Sequence, residues 1–147
     1  MKTVVNFLFS KNEKCVNYGL LVLRIILGGL FIYHGSGKMF SPEKWAFLGS
    51  QFKLFGANFI PSFWGFMASA SEFLGGFCII LGLGFRIANF FLFCTMAVAI
   101  SFHMGKGDSF SGFELPFFYA ACFVALFIAG PGCLGLDQKL CKCDKKR

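Results

Sequence analysis

Of the 147 residues, 56% are apolar and only 14% charged, with a mean hydropathy of +0.69, whereas a water-soluble domain carries about a quarter charged residues. Charges this sparse, crowded toward the ends of the chain, cannot coat a water-facing surface, and a soluble enzyme is excluded. The net charge of +7, from 14 Lys and Arg against 7 Asp and Glu, sits beside apolar runs rather than on a folded basic face, so it reports membrane topology and not nucleic-acid binding.

In chain order, residues 1–15 form a polar, basic N-terminal segment leading into an apolar run that Arg24 interrupts. That run lacks a small-residue cleavage site, so the segment reads as retained and not as a signal peptide. Four apolar stretches follow at about 16–36, 62–82, 86–104 and 114–129, each able to cross ~30 Å of hydrocarbon as a helix. Leu83, Gly84 and Phe85 leave room only for a tight turn, which makes the second and third spans an antiparallel hairpin, and Gly112 and the pair Gly130, Pro131 bracket the fourth. The expected fold is all-α: a polytopic membrane protein whose single membrane domain, residues 16–132, is a four-transmembrane-helix antiparallel bundle, followed by a basic, cysteine-containing tail at 133–147.

An even number of spans puts both termini on one side. Nine Lys and Arg residues flank the spans there (Lys2, Lys11, Lys14, Arg86, Lys139, Lys142, Lys145, Lys146 and Arg147) against four opposite (Lys38, Lys44, Lys53 and Lys106). The bias predicts a multi-pass protein of the cell (inner) membrane with both termini cytoplasmic. The first outer loop, about 37–60, holds a helix start at Ser41, Pro42 and Glu43, then Trp45, Leu48, Phe52 and Phe55 at helical spacing, with Glu43, Lys44, Gln51 and Lys53 on other faces. It reads as an amphipathic helix lying on the outer surface, with Tyr33, Trp45 and Trp64 at the same boundary.

Ionisable residues inside spans are costly, at least ~2.5 kcal/mol at mid-membrane, and are expected to have partners. Arg24 either snorkels to the cytoplasmic headgroups or faces the bundle, since Leu20, Arg24, Gly28, Phe31 and Gly35 form one stripe with small residues suited to helix packing. Glu72, in mid-span on the stripe of Gly65, Ala68, Ser69 and Gly76, has no route to the surface; it is either protonated or held by a cation such as Arg24. Arg24 and Glu72 are therefore candidates for an intramembrane charge pair, whether structural or functional. At the outer end His34, Lys38, His103, Lys106 and Glu114 fall within one or two helical turns of one membrane face, and with Glu72 below them they are the candidates for an outward-facing polar pocket. Glu114 also suits a purely structural role at the positive end of the fourth helix.

The tail cysteines Cys133, Cys141 and Cys143 make neither a C-x-x-C couple nor a paired-cysteine zinc half-site, so they read as surface thiols and no metal site is expected. Nucleophile-elbow, Walker, zincin and dinucleotide-binding patterns are absent, so no self-contained catalytic residue is assigned. LGGLFIYHG at 27–35 and LGGFCIILG at 74–82 share five of nine positions, an echo that apolar composition alone produces readily.

RIILGGLFIYHGSGKMF at 24–40, EFLGGFCIILGLGFR at 72–86, His103 with Lys106, Glu114, and GPGCLGLD at 130–137 together resemble the DoxX family of small four-span membrane proteins over about residues 18–140. The resemblance implies a four-helix membrane bundle and carries the family pattern onto Arg24, His34, Gly35, Lys38, Glu72, Gly76, His103 and Gly132. The longer first loop and the cysteine tail depart from that pattern. Family members include small subunits of thiosulfate:quinone oxidoreductase or terminal quinol oxidase assemblies, and others that associate with superoxide dismutase and a sulfurtransferase in thiol-stress defence. The resemblance thus implies an accessory subunit of a membrane oxidoreductase complex, with electrons passing through a bound quinone or through a partner, either a soluble redox protein or membrane oxidoreductase subunits. No covalently bound cofactor is expected, and homo-oligomers are compatible with it. Two alternatives stand beside this one: a small-molecule binding or transport protein using the outer pocket, and a structural membrane scaffold in which the charges only fix packing.

Overall fold

The computed structural model describes residues 13–56 and 59–144, without the side chains of residues 54, 55 and 142–144. The expected N-terminal segment therefore lies almost wholly outside the described residues, as does the thiol of Cys143. The chain forms helix α1 (Glu13–Met39), a 3-10 turn (Pro42–Lys44), short helix α2 (Trp45–Ser50), a second 3-10 turn (Gln51–Phe55), then α3 (Pro61–Leu81), α4 (Phe85–Gly105), α5 (Phe110–Ala129) and α6 (Leu136–Asp144). Helices α1, α3, α4 and α5, of 27, 21, 21 and 20 residues, are long and apolar enough to cross a membrane.

Small residues decide how these helices meet. In α1 the buried positions are Arg24, Leu27, Gly28, Phe31 and Gly35, and in α3 they are Gly65, Ser69, Glu72, Gly75, Gly76 and Ile79. A β-carbon at Gly28 would press on the carbonyl of Gly76, and one at Gly35 on the backbone of Glu72 and Phe73. Between membrane helices, where lipid is as apolar as leucine, such backbone approach gives the packing contact that hydrophobicity cannot. One glycine from each echoed segment, Gly28 and Gly76, thus meets the other across the α1/α3 seam. Helix α4 packs on the next side of α3 and α5 on α4, and Phe31 closes the ring edge-on to Tyr119 and Phe123 of α5, with centroids 5.1 and 4.9 Å away. The core is Leu27, Phe31, Ile79, Phe85, Leu92, Phe123 and Leu126, while Ile26, Phe90, Phe118 and Ile128 are among the many large apolar side chains that point outward.

Two sequence expectations are revised. Helix α5 starts at Phe110 after an extended Ser109, so Glu114 lies a turn inside the helix rather than at its head, and Pro116 sits within it. A membrane helix tolerates the lost N–H where neighbouring groups re-satisfy the backbone. The first loop is not an independent surface helix. Its α-helical part is only the six residues of α2, and α2 docks on the start of α3 because glycines strip both surfaces: a β-carbon at Gly49 would collide with Pro61 O, and one at Gly65 with Trp45 O. Trp45 adds an indole N–H bond to Lys38 O at 3.0 Å and an edge contact with Phe66. Glycine in a helix interior normally costs about 0.5–1 kcal/mol relative to alanine, so Gly65→Ala would stabilise a free helix. Here the added methyl is expected to cost about 1–3 kcal/mol by overpacking, read as a lower Tm in detergent; a raised Tm would show that α2 is free to move away.

Candidate functional site

Helices α3 and α4 meet in a hairpin at Gly82–Gly84, where both left-handed glycines, φ 67° and 54°, allow the reversal. Each helix end leaves backbone groups without intrahelical partners, and residues far away in sequence supply them. At the C-terminus of α3, Arg24 Nε donates to Ile79 O (2.8 Å) and Nη2 to Ile80 O (2.6 Å), while Nη1 reaches Pro131 O (2.7 Å). At the N-terminus of α4, the Asp137 carboxylate accepts from Gly84 N and Phe85 N, both at 2.8 Å, and Asp137 N donates to Gly82 O at 2.9 Å. A cation thus sits on the negative end of one helix dipole and an anion on the positive end of the next. The GPGCLGLD segment carries both Pro131 and Asp137 and ties the chain's last turns to this hairpin. Asn17 joins it by accepting from Cys133 N at 2.8 Å. Asp137→Ala is expected to cost about 1–2 kcal/mol, the usual loss for a helix cap, with Asp137→Asn recovering part of it in thermal unfolding; an unchanged Asp137→Ala would show the hairpin amides satisfied by other groups.

Arg24 therefore neither snorkels nor meets Glu72. It is 1% exposed, and the antiparallel register that sets Gly28 against Gly76 places Arg24 opposite Ile80, with Glu72 eight residues of axial rise away, roughly 12 Å. The two side chains also lean toward their own N-termini, hence in opposite directions.

Glu72 has a different cation. Lys38, in the last turn of α1, places Nζ 2.8 Å from Oε1 and 2.7 Å from Oε2. Glu72 is 3% exposed while Lys38 remains 36% exposed, so the pair runs from the bundle interior toward the surface at the α2 end. It stands in the wall of a cavity of about 120 Å³ lined by α1, the α2 segment, α3 and α4. Phe47, Phe52 and Phe102 give that cavity ring faces and edges, and Gln51 and Thr95 add polar groups. The Phe47 and Phe102 rings, 6.2 Å apart and nearly perpendicular, bridge the α2 segment and α4.

Lys38 and Glu72 are the two pocket candidates that come together. None of His34, His103, Lys106 and Glu114 lines the cavity. His34 is exposed, its ring edge-on to Tyr33. His103 Nδ1 lies 2.7 Å from Asp108 Oδ2 and fastens the α4–α5 turn, and Lys106 Nζ stands 5.1 Å from the centre of the Phe102 ring. Glu114 is exposed on an outward groove of α5 with Phe110, Phe117 and Phe118. Among the described residues no three His, Cys, Asp or Glu side chains converge as a metal-binding group. Sequence reasoning passed over Asp137, whose position at the end of a glycine-rich motif is the one signal of its capping role, and the Ser71–Thr95 hydroxyl contact at 2.8 Å between α3 and α4.

The chain is 34% identical over 137 residues to an uncharacterised protein of Haemophilus influenzae, covering 88% of this chain and 96% of that one. It is 28% identical over 133 residues, 90% of this chain and 95% of the relative, to CatD of Bacillus subtilis, a protein provisionally named an oxidoreductase. No solved structure gives a significant match. Residues 19–105 match DoxX, a stretch that contains Arg24, the Lys38–Glu72 pair and every residue lining their cavity, and by that match this four-span membrane protein belongs to the DoxX family.

Proposed function

We propose that this protein is an accessory subunit of a membrane oxidoreductase and that the Lys38–Glu72 cavity binds the ring of a quinone-type ligand. The observation that carries this reading is a carboxylate 3% exposed, held by a lysine, in the wall of a cavity with aromatic sides. Ionisable residues inside a membrane are rare, and those facing the bundle interior mark substrate, ion or proton pathways. The two groups suit the two states of such a ring: the Lys38 ammonium donates to a quinone carbonyl, and the Glu72 carboxylate accepts from a quinol hydroxyl. Reduction of the ring takes two electrons and two protons; the electrons come from a partner protein, and the protons reach the ring by way of the partly exposed Lys38 end. A volume of about 120 Å³ is below the roughly 300–1,000 Å³ of pockets that enclose drug-sized ligands, so the site accepts a single ring. The provisional oxidoreductase name of the Bacillus subtilis relative supports the same class of chemistry.

The test uses the full chain in phosphatidylcholine nanodiscs with decylubiquinone. A saturating ligand raises apparent stability by about 2.7 kcal/mol at a hundredfold excess over Kd, so a rise in Tm is expected in the wild type and not in the Lys38→Met/Glu72→Met double variant. No rise with ubiquinone, menaquinone or plastoquinone analogues would overturn the reading and favour the scaffold alternative. The charge bias further supports an orientation with both termini cytoplasmic. Labelling of Cys141 in intact cells by an impermeant thiol reagent would reverse that orientation.

A further inference from the structure

A ring held at Lys38 and Glu72 poses a problem of exit if the ligand carries an apolar chain, because the cavity is too small to hold both. On the outer side of the α3/α4 seam lies an apolar groove of about 300 Å³ lined by Met67, Ser71, Leu74, Gly75, Cys78 and Phe91, among others. The ring cavity lies on the inner side of the same seam, where Glu72 is the chain neighbour of Ser71 and Thr95 is part of the cavity wall. Ser71 of the groove and Thr95 of the cavity wall are joined across the seam by a side-chain hydrogen bond, Ser71 Oγ to Thr95 Oγ1 at 2.8 Å. Each hydroxyl has one proton, so whichever of the two donates across the seam has its own helix carbonyl, Ala68 O at 2.9 Å from Ser71 Oγ or Phe91 O at 3.0 Å from Thr95 Oγ1, as the alternative acceptor. Either can therefore let go of the other and keep a partner, which in lipid is the condition for a polar contact to open cheaply. Gly75 lets α4 come close beside the groove, since a β-carbon there would press on the Leu92 side chain. The cavity also opens where Lys38 is 36% exposed, which gives a tail-less ring a second way in.

We propose that the ligand enters laterally from the bilayer between α3 and α4, with its apolar chain seated in the Met67–Phe91 groove and Ser71–Thr95 acting as the latch over the opening. The proposal rests on the cavity reading above and deepens it by naming the ligand class: a ring head with an apolar chain, delivered from the membrane and not from water. Because the chain leaves one apolar surrounding for another, the groove gives little transfer free energy. Its contribution is a path, so blocking the groove excludes tailed ligands by sterics and leaves short ones alone.

Binding to the full chain in phosphatidylcholine nanodiscs, with Kd expressed per lipid-phase concentration, is compared for decylubiquinone and its tail-less parent, 2,3-dimethoxy-5-methylbenzoquinone. Ala70→Phe, which fills the groove away from the ring cavity, is expected to weaken the tailed probe roughly tenfold or more while the tail-less probe stays within about twofold. Ser71→Ala, which removes the latch, is expected to speed association of the tailed probe without changing that of the tail-less one. Equal binding of the tailed probe to wild type and Ala70→Phe overturns the path while leaving the cavity reading intact. So does equal weakening of both probes in Ala70→Phe combined with unchanged association in Ser71→Ala. Failure of the tail-less probe to bind wild-type protein at all removes the cavity reading itself, and a groove that retains only phospholipid when decylubiquinone is saturating overturns the path.

Discussion

Arg24→Met is expected to be the most destabilising single change in the chain. The guanidinium is 1% exposed and supplies three hydrogen bonds to carbonyls at Ile79, Ile80 and Pro131. Hydrogen bonds to a charged group contribute about 1.5–3 kcal/mol each, and their loss leaves buried acceptors unpaired. Non-additivity and relief of the buried charge reduce the sum to roughly 3–5 kcal/mol, which thermal unfolding in detergent resolves easily. Arg24→Lys recovers part of it, since a single ammonium cannot fork to three carbonyls on two segments. Because Arg24 and Glu72 have no common partner, their effects should add within about 0.5 kcal/mol in a double-mutant cycle. An interaction term well above that would mean the two charges meet after all.

The second large effect is an asymmetry within the Lys38–Glu72 pair. Lys38→Met strands a carboxylate that is 3% exposed, and breaking a buried pair this way costs about 3–5 kcal/mol. Glu72→Gln leaves a lysine that is 36% exposed and can swing to water, so about 1 kcal/mol is expected, as for a surface pair. Replacing both by methionine removes the stranded charge and should restore most of the stability lost in Lys38→Met. Tm measured for the three variants checks this, and a double variant no more stable than Lys38→Met would show that the carboxylate has another partner. The double variant also separates folding from binding: it is expected to fold, to insert and to leave quinone analogues without effect.

The four spans were legible because a membrane imposes one requirement on each segment separately: about twenty apolar residues with few charges. The glycine stripes were legible for the same reason, since Gly28, Gly35, Gly65 and Gly76 mark faces of single helices. Which charge meets which was not, because pairing depends on the register between α1 and α3. That register is fixed by Gly28 against Gly76 and Gly35 against Phe73, a relation between two helices that no one-dimensional pattern contains. Depth alone suggested Arg24 for Glu72; register and opposite side-chain lean gave Glu72 to Lys38. His34, His103 and Glu114 shared a membrane level with Lys38, but level is not azimuth, and the structure turns them outward or into the α4–α5 turn. The docking of α2 was hidden because Gly49 and Gly65 read as ordinary helix-weakening residues until their backbones are seen in contact.

The three acceptors of Arg24 are made long after it, and this bears on how the protein is synthesised. Ile79 and Ile80 follow Arg24 by 55 and 56 residues and Pro131 by 107, so at ~5–20 residues per second the guanidinium waits roughly 5–20 s for its last partner. Until Ile79 and Ile80 are made, roughly the first half of that interval, α1 carries an unpartnered charge whose insertion costs about 2.5–3.5 kcal/mol. Ribosomal products that stop short of Pro131 never complete the clasp. One buried arginine near the start of the chain is thereby fully partnered only in copies that extend past Pro131.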